Sequence, residues 1–161
     1  MNIRIEPARE RDVPLILELI RGLAEYERLA DQCIATEARL REALFGAQPA
    51  AEVLLAYADD QPAGFALFFH NFSTFLGRRG LYLEDLFVKP EFRRLGIGRR
   101  LLAGLARIAV ERGCGRFEWS VLDWNAPAIE FYKRLGAKPL DEWTIFRVTG
   151  GALTELADGP T

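Results

Sequence analysis

Leu81-Tyr82-Leu83-Glu84-Asp85-Leu86-Phe87-Val88-Lys89-Pro90-Glu91-Phe92-Arg93-Arg94-Leu95-Gly96-Ile97-Gly98-Arg99-Arg100-Leu101-Leu102 joins a strand to a helix through a glycine turn. Up to Val88 the run is apolar and β-favouring, and Pro90 ends it. Beyond the turn, Leu101, Leu102, Leu105, Ile108 and Ala109 recur at helical spacing until Gly113. Gly96 and Gly98 let backbone N–H groups approach an anion at the start of that helix, where the dipole also favours negative charge. Arg93, Arg94, Arg99 and Arg100 surround the turn with positive charge. The same letters can be read as an anion cradle or as a glycine turn with solvated arginines.

Other phosphate loops fail on the letters. A Walker loop needs Gly-Lys-Ser/Thr, which is missing, and Leu101 stands where a dinucleotide fingerprint needs its third glycine. Neither ATP nor NAD binding is supported.

Outward from this centre, strands and helices alternate without a linker. Ile3 and Ile5 mark a first strand ending at Pro7; Asp12 is the expected N-cap of a helix carrying Val13, Ile16, Ile20 and Leu23. A second helix is expected from Thr36. The apolar runs 51–58 and 63–70 read as a hairpin around Asp59-Asp60-Gln61-Pro62. Residues 116–122 read as a strand, 126–135 as a helix with Pro127 in its first turn, and 143–148 as a last strand.

The chain has 161 residues and is expected to form one domain over 1–161, with 151–161 as a flexible tail. Hydrophobic residues are 50% and charged residues 27%, a globular balance. A net charge of −2 gives no basic field, so no nucleic-acid partner is implied. No apolar run approaches the roughly 20 residues that cross a bilayer, and the start lacks signal-peptide features, so no membrane partner and a cytoplasmic address are expected. Cys33 and Cys114 have neither disulfide-framework nor zinc spacing, and no metal is expected. His70, the only histidine, ends an apolar run and reads as structural.

Three ordered motifs carry a resemblance. Arg93-Arg94-Leu95-Gly96-Ile97-Gly98 resembles the Gln/Arg-x-x-Gly-x-Gly/Ala loop of the GNAT superfamily of N-acetyltransferases; the strand before it fits, as does Asn125-Ala126-Pro127-Ala128-Ile129-Glu130-Phe131-Tyr132-Lys133-Arg134-Leu135-Gly136-Ala137. Leu23-Ala24-Glu25-Tyr26-Glu27, residues 81–88 and Phe131-Tyr132-Lys133-Arg134 are similar to the diamine (spermidine/spermine) acetyltransferases and their thialysine-acetylating relatives.

The resemblance implies an α/β (α+β) fold: a mixed, mostly antiparallel, twisted sheet of six to seven strands flanked by about four helices and splayed between strands 4 and 5. It implies acetyl-coenzyme A as co-substrate, with pantetheine along Leu86, Phe87 and Val88 and pyrophosphate on Arg93, Arg94, Leu95, Gly96, Ile97, Gly98 and Arg99. Asn125, Pro127, Ala128 and Tyr132 complete the coenzyme contacts that it implies, although Asn125 also reads as a helix cap. The acceptor is a small-molecule primary amine; a protein-directed transferase and a non-catalytic coenzyme sensor are the alternatives.

A base is wanted, because an amine with a pKa near 10.4 is neutral in about one molecule in 10³ at pH 7, costing roughly 4–5 kcal/mol. Glu84 resembles the family carboxylate that takes the proton, and Tyr132 the family acid. Each has a plain alternative: a solvated charge for Glu84, helix-face packing for Tyr132. Strand alternation sends Glu84 and Asp85 opposite ways unless a bulge intervenes. Tyr26, Glu27, Glu84, Asp141, Glu142 and Trp143 resemble the positions that bind the amine. Ser73-Thr74 replaces an acidic residue of the diamine enzymes, favouring a shorter amine or a diamino acid. A homodimer is usual in this branch and expected here.

Overall fold

Ile3–Pro7 (β1), Glu52–Ala58 (β2), Gln61–Ser73 (β3), Arg78–Val88 (β4) and Phe117–Trp119 (β5) form one sheet in the order β1-β2-β3-β4-β5. This computed structural model describes residues 1–160. The first three neighbouring pairs are antiparallel, and β4 with β5 is parallel. The helices of this part are Val13–Tyr26 (α1), Glu37–Phe45 (α2) and Ile97–Glu111 (α3).

Burial on both faces explains why β2 reads as an unbroken apolar run: Val53, Leu54, Leu55 and Ala56 are all buried. Val53 and Leu55 join Ile16, Leu19, Leu23, Leu44, Phe65 and Phe87 in a core beneath α1 and α2. Leu54 turns to the other face, where a methyl added at Gly104 of α3 would lie 3.5 Å from its Cδ1. The buried stripe of α3, Ile97, Leu101, Leu102, Leu105 and Ala109, follows helical spacing. Each such Leu or Ile contributes roughly 1.5–3 kcal/mol through burial.

The β2–β3 turn is tighter than expected, because Asp59 (φ 47°) and Asp60 (φ 66°) both take left-handed backbone and close it in two residues. Thr36 caps α2 as expected, its Oγ1 accepting from Arg39 N at 3.2 Å. Asp12 stands at the N-cap of α1 as expected, but its side chain turns back: Oδ2 accepts from Arg9 N at 2.8 Å and closes a short 3-10 turn ahead of the helix. His70 is structural, lying 3.4 Å from Arg112, which holds Glu52 in two bonds of 2.7 and 3.0 Å. Burial, then Arg112 and Arg79, push the pKa of His70 down.

The described residues divide into two units, Met1–Ser120 and those from Val121 onward, where the sequence reading expects one domain. The second unit holds Ala126–Arg134 (α4) and Gly150–Asp158 (α5). Most of the segment expected as a tail lies in α5, whose residues are not buried, and Thr161 lies outside the described residues. The expected strand over 143–148 is also corrected: these residues are irregular, so the sheet has five strands among the described residues rather than six or seven. A strand exists only where a neighbour satisfies its backbone groups, and among the described residues none pairs with this segment. The mixed sheet with flanking helices stands.

Candidate active site

The ladder between β4 and β5 has three pairs, Leu81 with Phe117, Tyr82 with Glu118 and Leu83 with Trp119. Tyr82 Oη and Ser120 Oγ, 2.7 Å apart, continue it by one side-chain contact. From Asp85 to Val88 one edge of β4 pairs with β3, while from Glu84 onward the other has no strand among the described residues. The parting coincides with a bulge: Leu83 faces Phe68 and Asp85 faces Leu67, which leaves Glu84 without an opposite residue. A bulge bends and twists its strand, so it turns β4 away where β5 ends.

The bulge separates Leu83 from Asp85 in the ladder, and beyond it alternation resumes. Asp85 and Phe87, two residues apart on the strand, share the face that α1 covers. Phe87 is so close to α1 that a Cβ at Gly22 would lie 2.9 Å from its ring. Burial, then the charges of Glu84 and Glu27, push the Asp85 carboxyl up to about 6. Glu27 follows the last turn of α1, and burial raises its pKa too. Three carboxylates therefore share one field, an arrangement that a bound cation relieves. The sequence reading includes Glu27 and Glu84 in the site and omits Asp85; the Glu84-Asp85 pair was its only signal, usable once the bulge is known.

Arg94 (φ 66°) and Gly96 (φ 77°) turn the chain into α3. A Cβ at Gly96 or at Gly98 would meet no atom within 4 Å, so the first turn of α3 lies open. Its leading N–H groups have no helical acceptors and point outward. This suits a pyrophosphate in charge and in access. Arg100 serves the sheet instead, donating to Ile3 O at 3.0 Å.

Arg93 opens the loop, but its side chain reaches back. The guanidinium lies 4.6 Å from the Tyr26 ring centroid and 5.9 Å from that of Phe87, and Nε donates to Val88 O at 3.0 Å. Beside it, a groove of about 660 Å³ runs between α1 and the end of β4, bordered by Gly22, Glu25, Tyr26, Phe87, Lys89 and Arg93. The first unit thus gathers Tyr26, Glu27, Glu84, Phe87, Val88 and Arg93 with the glycine turn.

The remaining expected residues belong to the second unit. Asn125 caps α4, its Oδ1 accepting from Ala128 N at 3.4 Å, with Pro127 in the first turn. Tyr132 is half-buried on α4, its ring 5.6 Å from that of Phe131. Asp141 and Glu142 form a turn, followed by exposed Trp143. Among the described residues no group of three or more His, Cys, Asp or Glu could hold a metal ion, and no helix is long and apolar enough to cross a membrane.

A model of the acetyltransferase (GNAT) family matches residues 20–137. A thialysine N-epsilon-acetyltransferase of Sus scrofa is 42% identical, the match covering 97% of this chain and 98% of that one. An L-ornithine N5-acetyltransferase of Arabidopsis thaliana is 35% identical, over 97% and 88%. Among solved structures, an integron cassette protein from the mobile metagenome of V. cholerae superposes with a TM-score of 0.80 at 29% identity, over 99% of each chain.

Proposed function

Because the chain belongs to the acetyltransferase (GNAT) family, we propose that it is an enzyme transferring an acetyl group from acetyl-coenzyme A to a primary amine of a small molecule: a diamine, a polyamine or a lysine-like amino acid. One observation carries the reading, the open edge of β4 with carboxylates at one end and the glycine turn at the other. The near full-length similarity to thialysine and ornithine acetyltransferases supports the same acceptor class.

Acetyl-coenzyme A supplies the acetyl group as an activated thioester. The turn over residues 93–99 and the first turn of α3 hold its pyrophosphate through backbone N–H groups. The free edge of Leu86, Phe87 and Val88 takes the pantetheine as a strand takes a neighbour. Glu27, Glu84 and Asp85 hold the acceptor ammonium, and Glu84 receives its proton, directly or through water. Tyr132 Oη holds the proton that the leaving sulfur takes up; this role, like the ligand roles of Asn125, Pro127, Ala128, Asp141, Glu142 and Trp143, rests on the motif resemblance. Two copies form a homodimer on the same reading.

Coenzyme A release tests the proposal, measured with acetyl-coenzyme A and a panel of diamines, polyamines, lysine analogues and aminoalkyl compounds. Release with at least one amine is expected. Tyr132→Phe is expected to lower kcat by about 10²-fold while coenzyme affinity changes little. Tight coenzyme binding without release for any amine would sink the small-amine reading.

A further inference from the structure

The ladder between β3 and β4 fixes which backbone groups the open edge of β4 offers. Gly64 lies opposite Val88 and Ala66 opposite Leu86, and Lys89 N donates to Ala63 O at 2.8 Å. In an antiparallel ladder, directly bonded pairs alternate with pairs whose N–H and C=O groups point outward. Lys89 and Phe87 therefore bond to β3, whereas Leu86 and Val88 turn their backbone groups to the open edge. One of those groups is already taken: Arg93 Nε donates to Val88 O at 3.0 Å.

That donor stands where the N–H of an adjacent strand would stand. The guanidinium is held there by the Tyr26 ring at the end of α1, 4.6 Å away, with the Phe87 ring at 5.9 Å. Arg93 thus opens the phosphate turn in sequence, yet its side chain leads back and closes the open edge at Val88. Only alternate residues face this edge, so equivalent pairing positions are two residues apart, about 6.7 Å along the strand. A partner that slipped by one such step towards the turn would need Val88 O as an acceptor, and Arg93 occupies it.

We propose that the Arg93 side chain is a positioning residue that sets the register of the pantetheine arm. With Val88 O occupied, Leu86 O is the acceptor left between Asp85 and Val88 for an amide N–H of the arm, so the arm pairs in one register with its thioester end towards Glu84. The proposal rests on the acetyl-coenzyme A reading above. It gives the side chain a task separate from the charge of the turn: Arg93 acts as a hydrogen-bond donor, and a neutral donor can replace it. A misplacement of about 1 Å can cost about 10²-fold in rate, so an arm slipped by a whole step binds without reacting.

Two variants separate donor from charge. The amide nitrogen of glutamine and the terminal methyl of methionine each stand as many bonds from Cα as Arg93 Nε, so Arg93→Gln keeps the donor without the charge and Arg93→Met removes both. At saturating acetyl-coenzyme A, with the best amine of the panel, Arg93→Gln is expected to keep kcat within about threefold of wild type and Arg93→Met to lose at least about tenfold. A second measurement needs no turnover. The Arg93 Nε–H resonance, assigned by its loss in both variants, is expected to be protected from solvent exchange in the free protein and to keep that protection within about threefold when coenzyme A is added. Equal kcat in the two variants, or loss of the Nε–H protection on adding coenzyme A, overturns the proposal; the first assigns the bond to closing its own loop, the second assigns the side chain to the phosphates. If no amine is turned over, the small-amine reading falls and the Nε–H measurement decides this proposal alone, as it does if the Met variant does not fold. Failure of the wild type to bind coenzyme A ends both.

Discussion

Asp85 is where chemistry and stability meet in one side chain. Its carboxyl has a pKa of about 6 in the fold against an ordinary 3.8, because burial and then Glu84 and Glu27 disfavour its charge. The folded state therefore holds this proton more tightly than the unfolded chain. Stability falls as pH rises from about 3.8 to about 6 and stays lower above that window. The cost at neutral pH is on the order of 1–3 kcal/mol. Asp85→Asn is thus expected to raise Tm at pH 8, with the gain vanishing towards pH 4, while the KM for the amine rises at least tenfold. Thermal melts at the two pH values and amine titrations check this; an equal Tm gain at both would show that proton linkage is not the cause. Amine binding by the wild type should strengthen as pH rises through about 6, since only the ionised carboxylate attracts an ammonium. Glu84 and Glu27 were legible as single letters in a motif. Asp85 was not, because the face it takes depends on a bulge between it and Leu83 that no local pattern announces.

The turn into α3 separates two glycines that look alike in sequence. Gly96 sits at φ 77°, where an L side chain is strained, whereas Gly98 is inside the helix with open space around its Cα. Gly96→Ala is expected to cost about 1–2 kcal/mol, and Gly98→Ala to be neutral or to stabilise by up to about 1 kcal/mol. Urea midpoints of the two variants check the contrast, and equal losses would refute it. The strand and helix of this stretch were legible because apolar periodicity marks both. The bulge at Glu84 was not, since a bulge reflects how β4 pairs with β3 and no local pattern announces it. Residues 143–148 failed in the opposite way: their strand-like pattern is real, but a pattern supplies no partner.

The largest exposed apolar side chains are distributed over both units. Phe75, wholly exposed, stands with Phe72 and Leu76 at the β3–β4 turn, and Trp143, Ile145 and Phe146 are exposed in the second unit. Surfaces of this kind mark protein contacts, so sedimentation at micromolar concentration is expected to give about twice the chain mass of 18.2 kDa. A monomer at that concentration would refute the homodimer. By itself the sequence determined the family motifs, the strand–turn–helix centre and the hairpin, because each is written in local periodicity or in letters fixed by backbone geometry. Only the tertiary structure decided that Asp85 joins Glu27 in one field, that Arg93 leaves its own loop for Tyr26, and that the expected opening of β4 starts at a bulge at Glu84. These depend on which elements pack together and on where one extra residue enters a ladder, and an unpaired strand carries no record of either.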